Sequence, residues 1–485
     1  MRCMVKLKIT SIGLLASLAF CVEAQYRDFT KILEVITPPQ SQTAIEVWDL
    51  QNDHQILSKN SQQMFIPAST QKLLTAVAAT KQLGSAFQFK TSIYSSANFE
   101  NGVLTGDLFV RFSGDPTLTT EQLAAMFNQL KAQGLRQING QVYLISDSRE
   151  QTLAPGWVWD DLGICYAAPV SRFIIDKNCA HGRFSPNSNP QNNKGSLSFS
   201  SRVPVSVVTD AIFDKTGATS FCELDLVRLG KNHFQLSGCY PGSTAINLAV
   251  AINDPQQFAI DTLANVIKTR GIQHQGKIAL FDKATPKLIL LTEHSSAPLN
   301  KLIDTMLLES DNLIADALLK QVGKSYYKDA GQTIGTFSNG TKAMGEILIS
   351  LGVDLSDARL ADGSGLSRYN LLTAHQLVQV LKLIYRDPIL SSLIASLPKA
   401  GVSGTLKYRT QFTQEPLKNR ITAKTGSMQG VANLAGYIRV EATADSPARD
   451  YLFVVLENGL TANAKKAQTA PFSALVLQSV IETLR

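Results

Sequence analysis

Apolar and polar residues alternate over Ala44–Leu50 in the manner of a strand, and Gln51-Asn52-Asp53-His54 supplies a turn into a second strand. Pro67 then precedes an apolar-rich run, Ser69 to Ala79, that predicts a helix stopping at Gly84. From residue 90 the texture changes. Short strand-like runs, Leu104–Phe112 and Gly140–Ile145, alternate with Gly, Asn, Asp and Pro turns, and 181–205 is rich in Ser, Asn and Pro, which predicts loop or a β-rich insertion. Helical periodicity returns near 257–270 and dominates 298–350. Ile421–Thr425, Asn433–Val440 and Leu452–Leu456 read as strands, and Phe472–Leu484 as a closing helix. That helix lacks a basic face, so it is expected to pack in a core rather than lie on a membrane.

Composition narrows the class. The 485 residues are 44% hydrophobic and 18% charged, which excludes a mainly disordered chain. Arg2, Lys6 and Lys8, the apolar run Ile9–Phe20 and Val22-Glu23-Ala24 have the three parts of a cleavable secretory leader over residues 1–24. The apolar run is too short to span a bilayer, which takes about 20 residues. A lipidated Cys21 is the competing reading, disfavoured by the bulky Phe20 before it. Taking those three basic residues and Glu23 from totals of 46 and 39 leaves 43 basic and 38 acidic residues, net +5. So mild and dispersed a charge does not point to nucleic acid. At most peripheral membrane contact is expected, and the periplasm is the expected compartment. Four cysteines remain after the leader. Cys165 and Cys179, and Cys222 and Cys239, form close pairs that suggest two bridges, although four cysteines permit three connectivities. With no CxxC or HExxH, neither a metal nor a cofactor is expected.

Three short motifs carry chemistry. Ser69-Thr70-Gln71-Lys72 opens the first helix, where residues three apart share a face, so the Lys72 amine can meet the Ser69 hydroxyl. A serine hydroxyl becomes a useful nucleophile only when a base takes its proton. Lysine serves as that base only if burial or nearby cations lower its pKa from about 10.4. Ser310-Asp311-Asn312 falls between two helical stretches, where it reads either as a cap or as a proton relay (Ser310) with a substrate clamp (Asn312). Lys424-Thr425-Gly426-Ser427 ends a strand. There Lys424 and the hydroxyls of Thr425 and Ser427 can hold a carboxylate, and Gly426 permits close backbone approach. Each motif alone is ambiguous; SxxK, SDN and KTG in this order are the signature of penicillin-binding proteins and class A β-lactamases.

The chain resembles the low-molecular-mass class C penicillin-binding D-alanyl-D-alanine carboxypeptidases/endopeptidases over most of its mature length. Phe112-Ser113-Gly114-Asp115-Pro116-Thr117-Leu118, the segment Pro155–Asp161, Asp362–Arg368 (DGSGLSR) and Lys424–Gly430 (KTGSMQG) carry the resemblance beyond the three motifs. The 241-residue gap from Ser69 to Ser310 also resembles this class, which inserts two domains there. Class A β-lactamases keep those motifs much closer and supply a deacylating Glu; Glu415-Pro416-Leu417-Lys418-Asn419 resembles that loop only weakly and lies too near Lys424.

The resemblance implies an α+β chain whose penicillin-binding transpeptidase-like (serine β-lactamase-like) α/β/α catalytic domain spans 25–90 plus 290–485. Two inserted β-rich domains would span 91–180 plus 241–289, and 181–240. It implies acyl transfer from peptidoglycan stem peptides and cross-links to Ser69, with Lys72 as base, and Ser310 and Lys424 passing the proton to the leaving amine. Ser69 and Ser427 backbone N–H groups would form an oxyanion hole, and β-lactam antibiotics would acylate the same serine. Asn312, Thr425, Gly426 and Ser427 would bind substrate. Asp161, Tyr166, Arg368 and Gln429 would surround a diaminopimelate side chain, whose ammonium and carboxylate suit Asp161 and Arg368. A β-lactamase or serine esterase on the same fold is the alternative.

Overall fold

The computed structural model describes residues 31–485 except 146–150, 188, 190–191, 215–218, 283–286, 332–333, 443–446, 463–469 and 484–485. The leader, Cys21 included, and Leu484 therefore lie outside the described residues. The described residues fall into two compact units, one drawn from 1–70 with 371–485 and the other from 71–370.

The first unit is built on an antiparallel sheet. Its strands are β1 (Gln42–Asp49), β2 (His54–Lys59), β3 (Ile421–Met428), β4 (Val431–Val440) and β5 (Arg449–Asn458), ordered β2-β1-β5-β4-β3. Both sheet faces are covered. Leu434 and Ile438 of β4, with Ile45, Val47, Phe453 and Val455, pack against Phe472, Val476, Leu477, Val480 and Ile481 of the closing helix Phe472–Thr483. On the opposite face the Tyr437 hydroxyl donates to the Leu381 carbonyl of helix Ala374–Arg386 at 2.8 Å. Alternation along Ala44–Leu50 thus marks a strand but not a solvated face: Ala44, Ile45, Glu46 and Val47 are all buried. No helix among the described residues is long and apolar enough to cross a membrane, and the closing helix buries its apolar residues in this core, as its lack of a basic face predicts.

The second unit contains α1 (Lys72–Leu83), α2 (Thr120–Ala132), α3 (Pro255–Thr269), α4 (Leu299–Leu308), α5 (Asn312–Tyr326) and α6 (Phe337–Ser350). Helices α4, α5 and α6 pack around α1, which is why α1 buries Lys72 through Ala79 without a break. A five-stranded mixed sheet runs Ile278–Phe281, Val142–Ile145, Leu108–Arg111, Lys90–Ser95, Ile289–Ser295. It shares a core with Leu123, Phe127 and Leu130 of α2 and Phe258, Leu263 and Val266 of α3. Cys179–Pro186, Gly195–Phe199 and Ile246–Ala251 form a three-stranded sheet; beside it Leu224–Gly230 and His233–Pro241 enclose a small core around Phe184, Phe213 and Leu236.

Residues 91–145 hold a helix, α2, that the expected run of short strands leaves out. Its signal is present in the sequence as Thr119 and Gln122 forming a reciprocal capping box ahead of Leu123, Met126, Phe127 and Leu130 at helical spacing. The disulfides join Cys165 to Cys179 and Cys222 to Cys239, the pairing that proximity along the chain favours. Phe127 is fully buried between α2 and the mixed sheet. Phe127→Ala is expected to lower stability by about 3–5 kcal/mol, measured by urea denaturation.

Candidate active site

The nucleophile motif begins in the sheet unit. Ser69 stands in a 3-10 turn, Ala68–Gln71, that runs directly into α1, whose first residue is Lys72. The expected helix therefore starts as a turn of 3-10 geometry before the α-helix proper begins at Lys72. Ahead of the serine, Ala68 holds a positive φ of 47°, a conformation that persists only under external restraint. The restraint is an amide pair on the sheet. Asn433 Nδ2 donates to the Ile66 and Pro67 carbonyls at 2.9 Å each, and Asn458 Oδ1 accepts from Ile66 N–H at 2.8 Å. Pro67 O also accepts from the Thr70 hydroxyl at 2.7 Å.

Asn433 pairs in register with Gly426 of β3, so the anchor of the serine turn lies directly across from the third motif. A Cβ on Gly426 would meet Pro67 O at 2.7 Å and Thr70 N at 3.1 Å, which is why the approach needs glycine. Lys424 is fully buried and donates to the Thr425 carbonyl at 2.9 Å; the Thr425 hydroxyl shares a 2.8 Å hydrogen bond with that of Thr405. Ser427 and Gln429 are exposed. Strand β3 ends the sheet, and beyond a bridge from Thr422 to Lys399 no strand pairs with its outer side among the described residues.

The second unit gathers Lys72, Asn312, Tyr166, Asp161 and Arg368. Lys72 is fully buried, and its Nζ donates to Asn312 Oδ1 and to the Ser364 carbonyl, each at 2.7 Å. Burial lowers its pKa to about 8, against the opposing pull of Asp316, Asp362 and Asp311. Of the two causes expected for such a shift, burial and nearby cations, burial is the largest contribution within this unit, where Asp316, Asp362 and Asp311 act against it.

The cap and the polar clamp of the second motif fall on different residues. Asp311 caps α5, accepting from Ile314 N–H at 3.0 Å and pairing with Lys177 at 2.7 Å. Asn312 Nδ2 instead donates to the Tyr166 carbonyl at 2.9 Å. Ser310 precedes them at a positive φ of 61°. Asp161, at the end of a 3-10 turn, accepts a short hydrogen bond from the Tyr166 hydroxyl. Partial burial, then that contact, raises the phenol to about 12, while Arg368 pulls the other way. Arg368 N–H donates to the Gly156 carbonyl at 3.0 Å, tying the DGSGLSR loop to the segment that carries Asp161.

Two carboxylates to which the motifs assign no role organise this loop. Asp362 accepts from Gly365 N and Asn370 Nδ2 (2.8 Å each), Ser367 N (2.6 Å) and Trp157 Nε1 (2.9 Å). Asp316 accepts from Gly363 N at 2.7 Å and Ser364 N at 3.0 Å. Asp362 is visible in its motif; Asp316, four residues after Asn312 on an apolar helix, is signalled only by its charge. Asp214, Cys222 and Cys239 lie close enough to suggest ligands, but both sulfurs are in the Cys222–Cys239 bridge.

The profile of the D-Ala-D-Ala carboxypeptidase 3 (S13) family matches residues 29–478. The chain is 34% identical over 423 residues to D-alanyl-D-alanine carboxypeptidase DacB of Haemophilus influenzae, covering 86% of each, and 30% identical over 461 residues to the D-alanyl-D-alanine carboxypeptidase of Actinomadura sp. (strain R39), covering 89% of this chain and 80% of that one. Among solved structures it is similar to penicillin binding protein 4 (dacB) from Haemophilus influenzae, with TM-score 0.86, 32% identity and coverage of 94% of this chain and 99% of that chain. The same protein complexed with a novel beta-lactam gives TM-score 0.81 at 31% identity, covering 95% and 99%.

The two glycine environments separate crowding from propensity. Gly426→Ala is expected to destabilise by about 1–3 kcal/mol through overpacking. Gly345→Ala on α6, with open space at its Cβ, should gain up to about 1 kcal/mol. Paired thermal melts of the two variants check both signs.

Proposed function

The chain belongs to the D-Ala-D-Ala carboxypeptidase 3 (S13) family, and on that premise we propose that it cleaves D-alanyl-D-alanine or D-alanyl-diaminopimelate bonds of peptidoglycan stem peptides through an acyl-enzyme on Ser69. Its fold is penicillin-binding transpeptidase-like and α+β, and it is a serine peptidase of hydrolase type. The observation that carries the mechanism is Lys72, buried and lowered in pKa, one turn from Ser69. The neutral amine takes the Ser69 proton as the hydroxyl oxygen attacks the D-alanyl carbonyl. The tetrahedral oxyanion is received by the Ser69 and Ser427 N–H groups, each such donor being worth about 3–4 kcal/mol. Collapse expels the leaving amine, protonated by way of Ser310 and Lys424, and water then frees the acyl group.

The open outer side of β3 supports binding of an extended peptide, with Thr425, Ser427 and Lys424 taking a carboxylate across the close approach at Gly426. Asn312 would clamp the substrate, and Asp161, Tyr166, Arg368 and Gln429 would surround a diaminopimelate side chain. In the second unit Asp161 already holds the Tyr166 hydroxyl, so a substrate ammonium there would meet a carboxylate oriented by a phenol. The relative crystallised with a beta-lactam supports penicillins as covalent inhibitors. The domain division expected from the resemblance, with a catalytic domain interrupted between 90 and 290, is proposed with it. So is export to the periplasm by the leader at 1–24. Nothing favours the β-lactamase or esterase alternative over this reading.

Labelled penicillin followed by peptide mapping should place the adduct on Ser69, and Ser69→Ala should take up none; label persisting in that variant would refute the assignment. Cross-linked muropeptides then tell endopeptidase from carboxypeptidase action. Because the base must be neutral, acylation should rise as pH increases through about 8 and level off above it, followed by stopped-flow fluorescence with a reporter penicillin.

A further inference from the structure

The carboxyl group of Asp316 has one oxygen engaged and one bare. It is fully buried on α5. Oδ1 receives the N–H groups of Gly363 and Ser364. Oδ2, equally inaccessible, has no hydrogen-bond partner among the described residues. The peptide that Oδ1 fixes belongs to the residue whose carbonyl accepts Lys72 Nζ at 2.7 Å. Asp316 thus reaches the amine through a single residue, Ser364, held by its N–H on one side and bonded to the lysine through its C=O on the other.

Neither charge state of such a group is comfortable. Ionised, it leaves a buried oxygen without a hydrogen bond; protonated, it gives up the charge that the loop donors and Lys72 favour. The neighbouring charges therefore decide. Burial, then Asp362, favour the neutral acid, whereas the Ser364 side chain, the Gly363 N–H and the Lys72 ammonium favour the carboxylate. The elements packed on α5 bring further ionisable groups: Lys301 and Asp304 on α4, Lys342 and Glu346 on α6, Tyr166 before the helix, and Lys328 and Asp329 after it. None of these is among the groups that shift Asp316, whose charge partners are Lys72 and Asp362.

We propose that Asp316 is a positioning residue for the general base: it fixes the Ser364 carbonyl that holds Lys72, and its charge sets the pH at which Lys72 can accept the Ser69 proton. An ionised Asp316 retains Lys72 as an ammonium; a neutral one releases it. This rests on the reading of Lys72 as base, so the experiment separates the two. Acylation of the full mature chain by a fluorescent penicillin is followed across pH for the parent protein, Asp316→Asn and Lys72→Ala. Asparagine keeps the oxygen that receives Gly363 and Ser364 while removing the charge. Its acid limb should move to lower pH, raising the acidic-side rate several-fold relative to its own plateau. A limb superimposed on the parent's, or moved to higher pH, overturns the proposal. Acylation persisting in Lys72→Ala with the parent's limb refutes instead the reading of the base. Asp316→Ser, smaller and also neutral, supplies a second test of the limb should the amide variant fail to fold, with thermal melting reporting folding. Asp316→Glu, which restores a carboxyl, should return the limb toward the parent position.

Discussion

The burial of one amine organises the second unit. A lysine without solvent must spend its hydrogen bonds on protein acceptors, and Lys72 has two at 2.7 Å, the Asn312 side chain and the Ser364 carbonyl. Each acceptor is itself held. Asn312 is bridged to the Tyr166 backbone, and Ser364 is anchored by Asp316 inside a loop wound around Asp362. Loss of water around the amine is the largest cause lowering its pKa, to about 8. The packing of α4, α5 and α6 around α1 therefore sets the protonation of this amine as well as the stability.

In the sheet unit the corresponding constraint is backbone proximity. The serine turn carries a strained Ala68, and the strain is tolerated because Asn433 and Asn458 hold the preceding carbonyls and N–H from the sheet. Register places Asn433 opposite Gly426, and the missing side chain at Gly426 lets the serine turn approach. One strand pair thus fixes both the entry to the nucleophile and the KTG backbone.

The residues proposed for recognition follow a different logic. Asp161, Tyr166 and Arg368 lie on turns whose ends are tied together by Arg368 to Gly156, Trp157 to Asp362, and the Cys165–Cys179 bridge. Loops can carry specificity when such ties replace the regular hydrogen bonding of a helix or strand. The exposed Tyr166 hydroxyl is already engaged in donating to Asp161.

Much of this was legible in the sequence because its causes are local. The helix ahead of Gly84, the strands at 421–440, the close cysteine pairs and the three motifs depend on spacing, turn residues and periodicity. Helix α2 was legible too, through its capping box, but its apolar spacing is easily taken for short strands among the turns around it. Four things were decided only by tertiary structure: the absence of a solvated face on β1, the division of labour between Asp311 as cap and Asn312 as acceptor, the Asn433 anchor and the buried Asp316. Each depends on which residues distant in sequence exclude water from one another or supply a partner for a buried polar atom, and neither is encoded in a short window. The sequence by itself determined which groups could do the chemistry; the fold determined their hydrogen bonds and, by removing water from Lys72, lowered the pKa of its amine.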